Sequence, residues 1–219
     1  MISLQNVKKI YKGDGYETIA LNGIDLEINK GEFVAIMGKS GSGKSTLLNI
    51  IGCMDRLSSG KYIIDEKDVS KVGTFALDKI RKKKIGFIFQ NYELIEQYTV
   101  YENIELPLLA ARDGYKQRRE KIDAAMKLLS IADLQKKYPR QISGGEQQRT
   151  AIARALVSEN EYLLADEPTG ALDEENSLGL MKLFKSIHES GKTIIMVTHD
   201  SDIASFADRI IHIADGKIV

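Results

Sequence analysis

The chain has 219 residues, in which 31 lysines and arginines balance 31 aspartates and glutamates, so the formal net charge at pH 7 is zero. This length suits one large domain with a sizeable core, and the balanced charge excludes a global electrostatic attraction to nucleic acid or anionic lipid. Cys53 is the only cysteine, which excludes an intramolecular disulfide and a cysteine-cluster zinc site.

The N-terminal residues carry no charged segment followed by an apolar core, and no uncharged apolar run approaches about 18 residues. We therefore expect a cytosolic protein that reaches a membrane only through a partner. Two basic runs, at 79–84 and 116–121, are expected to be solvated helical faces. Contact with a partner or with lipid headgroups is the alternative for both runs.

The first strand signals lie before residue 38. Ile24, Leu26 and Ile28 alternate with polar residues, which predicts a half-buried strand. The continuous apolar run 33–37 predicts a strand that is buried on both faces. Together they indicate a small antiparallel sheet next to a parallel core, and residues 62–64 could add a strand to the small sheet.

Residues 38–46 fit the phosphate-binding pattern G-x-x-x-x-G-K-[ST]. Glycines let successive backbone N–H groups turn toward one anion, and a helix that begins near Lys44 adds its positive dipole end. Lys44 would reach the β and γ phosphates, and the Ser45 hydroxyl would bind Mg²⁺. The competing interpretation is a glycine-rich turn with a surface lysine. The candidate nucleotide-binding residues are Gly38, Lys39, Ser40, Gly41, Ser42, Gly43, Lys44, Ser45 and Thr46.

Residues 84–90 predict a further strand with Gln90 at its end. From there to about residue 160 the apolar residues follow a helical period. We therefore expect a mainly helical insert at 91–160. It would be flanked by strand-rich parts at 1–90 and 161–219 that form one nucleotide-binding core, all within a single domain.

Three more apolar strands are predicted at 162–168, 193–197 and 209–214, with a helix after the first of them. Strands that alternate with helices are typical of an α/β fold. We predict a P-loop NTPase three-layer core with an antiparallel β subdomain and an inserted α-helical subdomain. Ligands bind such folds at the carboxyl ends of the strands, where Gln90 and His199 both fall.

The pair Asp166 and Glu167 ends an apolar strand and indicates what happens to the phosphate. Asp166 stands where a P-loop protein has its Mg²⁺ partner, and Glu167 is placed to polarise a water aimed at the γ phosphate. Two acids that cap the following turn are the alternative. Gln90 could bind Mg²⁺ or the attacking water, and His199 could donate a hydrogen bond to the γ phosphate. Each of these two residues is weak evidence when taken alone.

A second glycine segment opens a predicted helix at Ser143, Gly144, Gly145 and Glu146. Two glycines cost a helix about 1 kcal/mol each relative to alanine, which makes sense where the backbone must approach another group closely. The spacing of Ser143 and Glu146 is also a capping box. We expect both uses, with Glu146 capping the helix while Ser143 and the glycine N–H groups face a phosphate.

In their order along the chain these motifs resemble the nucleotide-binding subunits of ABC transporters. The resemblance includes residues 171–173 and covers nearly the whole chain. It implies an ATPase that binds ATP and Mg²⁺ and forms a head-to-tail homodimer in its ATP-bound state. The Ser143 segment of one copy would then complete the ATP site of the other, with Asp173 at the shared interface and Tyr11 stacked on adenine.

Residues 48–55, 99–108 and 146–149 resemble the branch that serves macrolide exporters, lipoprotein-release machines and antimicrobial-peptide resistance transporters. This implies the ATP-binding subunit of a bacterial transporter that exports or detaches peptides, lipoproteins or drugs. It would lie on the cytoplasmic face of the membrane, held by a permease that carries an extracytoplasmic domain, with no nucleic-acid partner. The alternatives are an ATP-gated regulator of a permease-like partner in cell division and a DNA-repair or chromosome ATPase.

Overall fold

The computed structural model describes residues 1–13 and 15–219. Its strands are β1 (Ile2–Gly13), β2 (Tyr16–Ile28), β3 (Phe33–Met37), β4 (Ser59–Ile64), β5 (Lys67–Asp68), β6 (Ile85–Ile88), β7 (Tyr162–Asp166), β8 (Thr193–Val197), β9 (Arg209–Ala214) and β10 (Lys217–Ile218). Its α-helices are α1 (Lys44–Ile51), α2 (Thr74–Lys84), α3 (Val100–Ala111), α4 (Tyr115–Leu128), α5 (Gly144–Leu156), α6 (Glu174–Glu189) and α7 (Ser201–Ala204). Short 3₁₀ turns lie at Ala132–Leu134 and Pro139–Gln141.

The central sheet has six strands in the order β10-β9-β3-β8-β7-β6. The five strands from β9 to β6 run parallel, and β10 pairs antiparallel with β9. Because parallel strands end at the same edge of a sheet, the segments that follow β3, β7 and β8 meet there. This confirms the predicted parallel α/β core.

Alternate residues of β3 pack into two different hydrophobic clusters, one on each face of the central sheet. Phe33 and Ala35 pack with residues of α3, α4, α5 and α6. Val34 and Ile36 pack with residues of α1 and the antiparallel sheet. The sheet is therefore the middle of three layers, which is why its strands are apolar on both faces.

The second sheet is antiparallel, with the order β2-β1-β4-β5. Its longest pair runs from Ile2 opposite Ile28 to Gly13 opposite Tyr16. The antiparallel sheet was predicted, but β1 and the first half of β2 were not. Residues 16–19 are exposed on both faces and show no apolar alternation, so only the part of β2 that packs on the core is visible as a pattern.

The helical insert contains α3, α4 and α5, as predicted. The predicted strand at 84–90 is shorter than expected, because Lys84 ends α2 and only Ile85–Ile88 pair with β7. Gln90 therefore lies in a turn two residues beyond the strand. Both basic runs lie on helices, α2 and α4, as expected. No helix within 1–13 and 15–219 is long and apolar enough to span a bilayer.

Candidate nucleotide site

The glycine-rich loop joins β3 directly to α1, which begins at Lys44. Gly43 has a φ of 105°, and a Cβ there would collide with the backbone oxygen of Ala20, so only glycine fits. Lys44 is 8% exposed, and its Nζ donates to the carbonyl oxygens of Gly38 at 2.8 Å and Lys39 at 3.0 Å. The loop thus holds the ammonium group at the mouth of a helix N-terminus, where an anion is stabilised.

A cavity of about 690 Å³ lies over the loop, within the size range of small-molecule sites. It brings the loop together with three side chains that were predicted from separate segments, Gln90, Glu167 and His199. The loop residues in its lining are Gly38, Lys39, Ser40, Gly41, Gly43, Lys44, Ser45 and Thr46. The charged and polar groups therefore converge at the carboxyl edge of the central sheet.

Asp166 ends β7 beside the start of α1, and the Ser45 hydroxyl donates to its Oδ1 at 3.3 Å. Burial raises the pKa of the Asp166 carboxyl, and the Ser45 hydroxyl opposes that rise. Hydroxyl and carboxylate oxygens are hard donors, and Mg²⁺ commonly takes only one or two protein ligands besides phosphate and water. The donor set of Ser45, Asp166 and the nearby Gln90 amide therefore fits Mg²⁺.

Glu167 is held firmly at the end of β7. Its backbone has a φ of 48°, a left-handed conformation that costs a non-glycine residue about 1 to 3 kcal/mol. Its N–H donates to the carbonyl oxygen of Val197 at 3.0 Å, which ties it to β8. Its Oε2 lies 2.6 Å from Nδ1 of His199. The two residues thus form a hydrogen-bonded pair that faces the cavity over the loop.

The second glycine segment does not line this cavity. It lines another, of about 300 Å³, together with Asp173. The predicted capping box is present, since Glu146 Oε2 accepts from the Ser143 N–H at 2.7 Å and the Ser143 hydroxyl oxygen accepts from the Glu146 N–H at 3.4 Å. The backbone hydrogen bond from Ser143 lowers the pKa of Glu146 and keeps it a carboxylate. The second glycine segment and Asp173 therefore line the same cavity, to which the segment contributes Ser143, Gly144, Gly145 and Glu146.

Tyr11 lies near the end of β1 and is 41% exposed. Its hydroxyl donates to Oδ2 of Asp55 at 2.8 Å, and the Lys9 ammonium lies 4.7 Å from its ring centroid. Lys9 also donates to Oδ1 of Asp55 at 2.6 Å. Sequence reasoning missed Lys9 and Asp55, because the contact joins residues far apart in the chain. It also missed the segment 18–20 of β2, which lines the cavity over the loop without any motif.

Known proteins with a similar sequence carry the same combination of segments. The family described as ABC transporter matches residues 21–170. An uncharacterised ABC transporter ATP-binding protein of Bacillus subtilis, YvrO, is 47% identical over 219 residues, covering all of this chain and 96% of that protein. The macrolide export ATP-binding/permease protein MacB of Campylobacter fetus is 49% identical and also matches the whole chain. This chain spans only 34% of that MacB's length.

The fold is also similar to solved structures. One of them is MJ0796, an ABC transporter ATP-binding protein of Methanocaldococcus jannaschii. A dimeric structure of MJ0796 in a post-hydrolysis state with ADP and phosphate superposes with a TM-score of 0.93 at 44% identity, covering all of this chain and 96% of that one. A second dimeric MJ0796 structure also has a TM-score of 0.93, at 45% identity.

The three-layer fold and the phosphate loop at its carboxyl edge define a P-loop nucleotide hydrolase with an antiparallel β subdomain and a helical insert. This chain belongs to the ABC transporter family, as an ATP-binding and ATP-hydrolysing subunit. The resemblance inferred from the ordered motifs is confirmed, including the branch that contains the macrolide exporters.

Proposed function

We propose that two copies of this chain hydrolyse Mg²⁺-bound ATP at shared sites and so drive a membrane permease. The observation that carries the proposal is the separation of the two phosphate-facing segments. Lys44 and Glu167 line the cavity over the loop, whereas Ser143 lines a different cavity with Asp173. A single chain therefore does not bring all of these groups to one nucleotide, but a second copy can supply the missing segment.

Within the proposed site the chain's own groups have distinct roles. The loop N–H groups and Lys44 hold the β and γ phosphates, and the Tyr11 ring stacks on the base. Ser45, Asp166 and Gln90 hold Mg²⁺, which would neutralise charge on the phosphates when bound. Glu167 orients a water for in-line attack.

Two further residues complete the site. His199 keeps the Glu167 carboxylate in place through its Nδ1 contact and can donate to the γ phosphate. Ser143 of a second copy supplies the remaining donors for phosphate charge. Asp173 shares the Ser143 cavity, so the same contact would bring it to the interface between the copies.

The proposed partner is an integral-membrane permease with an extracytoplasmic domain, which would hold the chain on the cytoplasmic face of the membrane. MacB relatives are named as combined ATP-binding and permease proteins, which supports such a partner. The branch also supports export or release of peptides, lipoproteins or drugs as the transported class. The proposed division of the chain is a core at 1–90 and 161–219 with a helical part at 91–160.

A groove beside Gln90 offers a docking surface for a cytoplasmic segment of that permease. Two cavities, of about 190 and 460 Å³, share Lys82, Ala110 and Ser158 in their linings and lie between α2 and the helical insert. Phe89, next to Gln90, lines the smaller one. Basic side chains outnumber the two carboxylates in these linings, Asp78 and Asp113, which suits an acidic amphipathic segment. Gln90 would carry the contact to the nucleotide.

The proposed chemistry is tested by the steady-state ATPase rates of two variants. Glu167→Gln removes the water-orienting carboxylate and should lower turnover by about 100-fold or more while ATP still binds. Lys44→Ala should weaken ATP binding as well as turnover, because it removes a charge from the phosphates. Titration of each purified variant with a fluorescent ATP analogue separates the two effects. Wild-type turnover in either variant would sink the role given to that residue.

Neither alternative from the sequence has support from the relatives, whose names describe transporters and macrolide export. Co-purification from a detergent extract would identify the partner of this chain. A multi-span permease with a large extracytoplasmic domain is expected. A cell-division protein, or DNA bound with a steep salt dependence, would overturn the transport role.

A further inference from the structure

Gln148 links the second glycine segment to the loop that follows Glu167. It lies on α5, little more than one turn beyond Ser143, and is 2% exposed. Its Nε2 donates to the carbonyl oxygen of Pro168 at 2.8 Å, and this bond is buried. Pro168 is the residue immediately after Glu167. The first turns of α5 are thus bonded to the backbone beside the water-orienting carboxylate.

The other end of the Gln148 amide points toward α6. Its Oε1 is buried and accepts no hydrogen bond from the described residues. Gln148 lines a cavity of about 20 Å³ together with Asn176, which is enough space for one water molecule. Asn176 in turn donates to both carboxylate oxygens of Asp173, at 3.0 and 2.9 Å. A water in this cavity would connect Gln148 to the far end of the same loop.

The unpaired Oε1 offsets much of the stability that the bond to Pro168 contributes. An apolar side chain of the same shape would leave the Pro168 carbonyl without its donor, but it would also remove the unpaired Oε1, so the two changes largely cancel in stability. Thr150, on the same helix, shows the ordinary solution: it is fully buried, and its hydroxyl donates within α5 to the Glu146 carbonyl at 2.8 Å. Among the described residues, the Gln148 side chain is the one that hydrogen-bonds from α5 to the 168–173 loop.

We infer that Gln148 is a positioning residue that couples the two nucleotide sites of a dimer. It bonds the near end of the 168–173 loop directly at Pro168, and a water in the small cavity would join it to the far end through Asn176 and Asp173. The inference rests on the proposed function, in which Ser143 serves the partner's nucleotide while Glu167 serves its own. A shift of α5 when Ser143 engages a γ phosphate would pass through Gln148 to the backbone of Glu167 and to Asp173.

The test compares Gln148→Met with Thr150→Val. Methionine keeps the length of the side chain and removes the hydrogen bond to Pro168 together with the Oε1 acceptor, and valine removes a buried hydroxyl from the same helix without touching the loop. Four quantities are measured for each variant: the melting temperature, the affinity for ATP, kcat and the Hill coefficient for ATP turnover.

For Gln148→Met we expect an unchanged melting temperature and ATP affinity, kcat lowered by about 10-fold, and a Hill coefficient that falls toward 1. Thr150→Val should keep the wild-type kcat and Hill coefficient. Wild-type cooperativity in Gln148→Met, or an equal loss in Thr150→Val, overturns the inference. The two melting temperatures separate a positioning role from a loss of folding, which would lower the temperature and the ATP affinity together.

The wild-type chain supplies a second test that needs no variant. A high-resolution crystal structure should show a water within hydrogen-bond distance of Gln148 Oε1 and Asn176, and a dry cavity overturns the bridge. Failure of the proposed function is recognised differently. Wild-type turnover that does not depend on chain concentration contradicts shared sites, whereas cooperative turnover that survives Gln148→Met contradicts this inference alone.

Discussion

Tyr11 is fixed on two sides by neighbours that come from different parts of the chain. Asp55, just beyond α1, accepts a hydrogen bond from the Tyr11 hydroxyl, and the Lys9 ammonium lies 4.7 Å from the centroid of the ring. Burial raises the pKa of the Tyr11 hydroxyl, and the hydrogen bond to Asp55 raises it further, so the ring stays neutral. Tyr11 is still 41% exposed, so part of its surface is available to a planar ligand such as adenine.

Tyr11→Ala should weaken ATP binding by about 10-fold, because stacking of a base on an aromatic ring contributes about 1 to 3 kcal/mol. Tyr11→Phe keeps the ring and loses only the bond to Asp55, so most of the affinity should remain. Isothermal titration with ATP measures both changes. Tyr115→Ala is the control, because Tyr115 is 67% exposed on α4. Equal losses in the alanine and phenylalanine variants would contradict base stacking.

Asp65 lies in the turn between β4 and β5. Its carboxylate joins several elements at the amino edge of the central sheet. Lys84 at the end of α2 donates to it, and so does the hydroxyl of Tyr162 at the start of β7, at 2.6 Å. Lys30, just before β3, pairs with it at 3.3 Å. The antiparallel sheet is therefore tied to three parts of the core by one side chain.

The charge on Asp65 gives a pH-dependent stability. Burial raises its pKa, but the hydrogen bonds from Lys84, the N-terminal amine, Tyr162 and Lys30 outweigh burial and hold the pKa well below its ordinary value. A carboxyl whose pKa is lowered by folding stabilises the native state above its unfolded pKa of about 3.9. That contribution is lost as the pH falls from about 5 toward the folded pKa.

Asp65→Asn should lower the free energy of unfolding at pH 7 by about 1 to 3 kcal/mol, because it removes a charge from several donors. The difference from wild type should shrink between pH 5 and pH 3. Urea unfolding at a series of pH values measures both effects. Asp123→Asn is a matched control, since the pair that Asp123 forms with Arg119 is exposed and 3.8 Å long. A difference that stays constant with pH would contradict the role of the Asp65 charge.

At the scale of the whole molecule, the phosphate loop and the Ser143 segment lie in different places. The phosphate loop and Glu167 lie at the edge of the central sheet, whereas Ser143 begins α5 of the helical insert and lines its own cavity. In the proposed dimer, hydrolysis at one loop then depends on the position of the Ser143 segment of the other copy. Hydrolysis would thus be linked to closure of a dimer, which is the movement that a permease can use.

Ser143→Arg should leave ATP binding by the single chain largely intact and abolish cooperative turnover, because a bulky cation at this position blocks approach to the partner's phosphate. Mixing it with Glu167→Gln provides a sharper measurement. A mixed dimer has one site with both defects and one with neither, so some activity should return. Unchanged turnover in Ser143→Arg alone, or no recovery in the mixture, would count against shared sites.

Local patterns in the sequence predicted those elements in which burial or a helix end restricts the choice of neighbouring residues. The apolar strands β3, β7, β8 and β9, the helix start at Lys44 and the capping box at Ser143 were all predicted. A strand buried on both faces must be apolar, and a helix N-terminus must satisfy its N–H groups, so both leave a mark on neighbouring residues. The site residues in these motifs could be named for the same reason.

The local patterns of the sequence were thus enough to predict the α/β class, the family and the segments that are candidates for phosphate binding. Which of the candidate residues share a cavity follows from the packing of the whole chain. Gln90, Glu167 and His199 line one cavity with the phosphate loop, and Ser143 lines another with Asp173. The tertiary structure also decided the contacts of Asp55 and Gln148, which join residues far apart in the chain. Such contacts have no local period or spacing, because they depend on how whole elements pack.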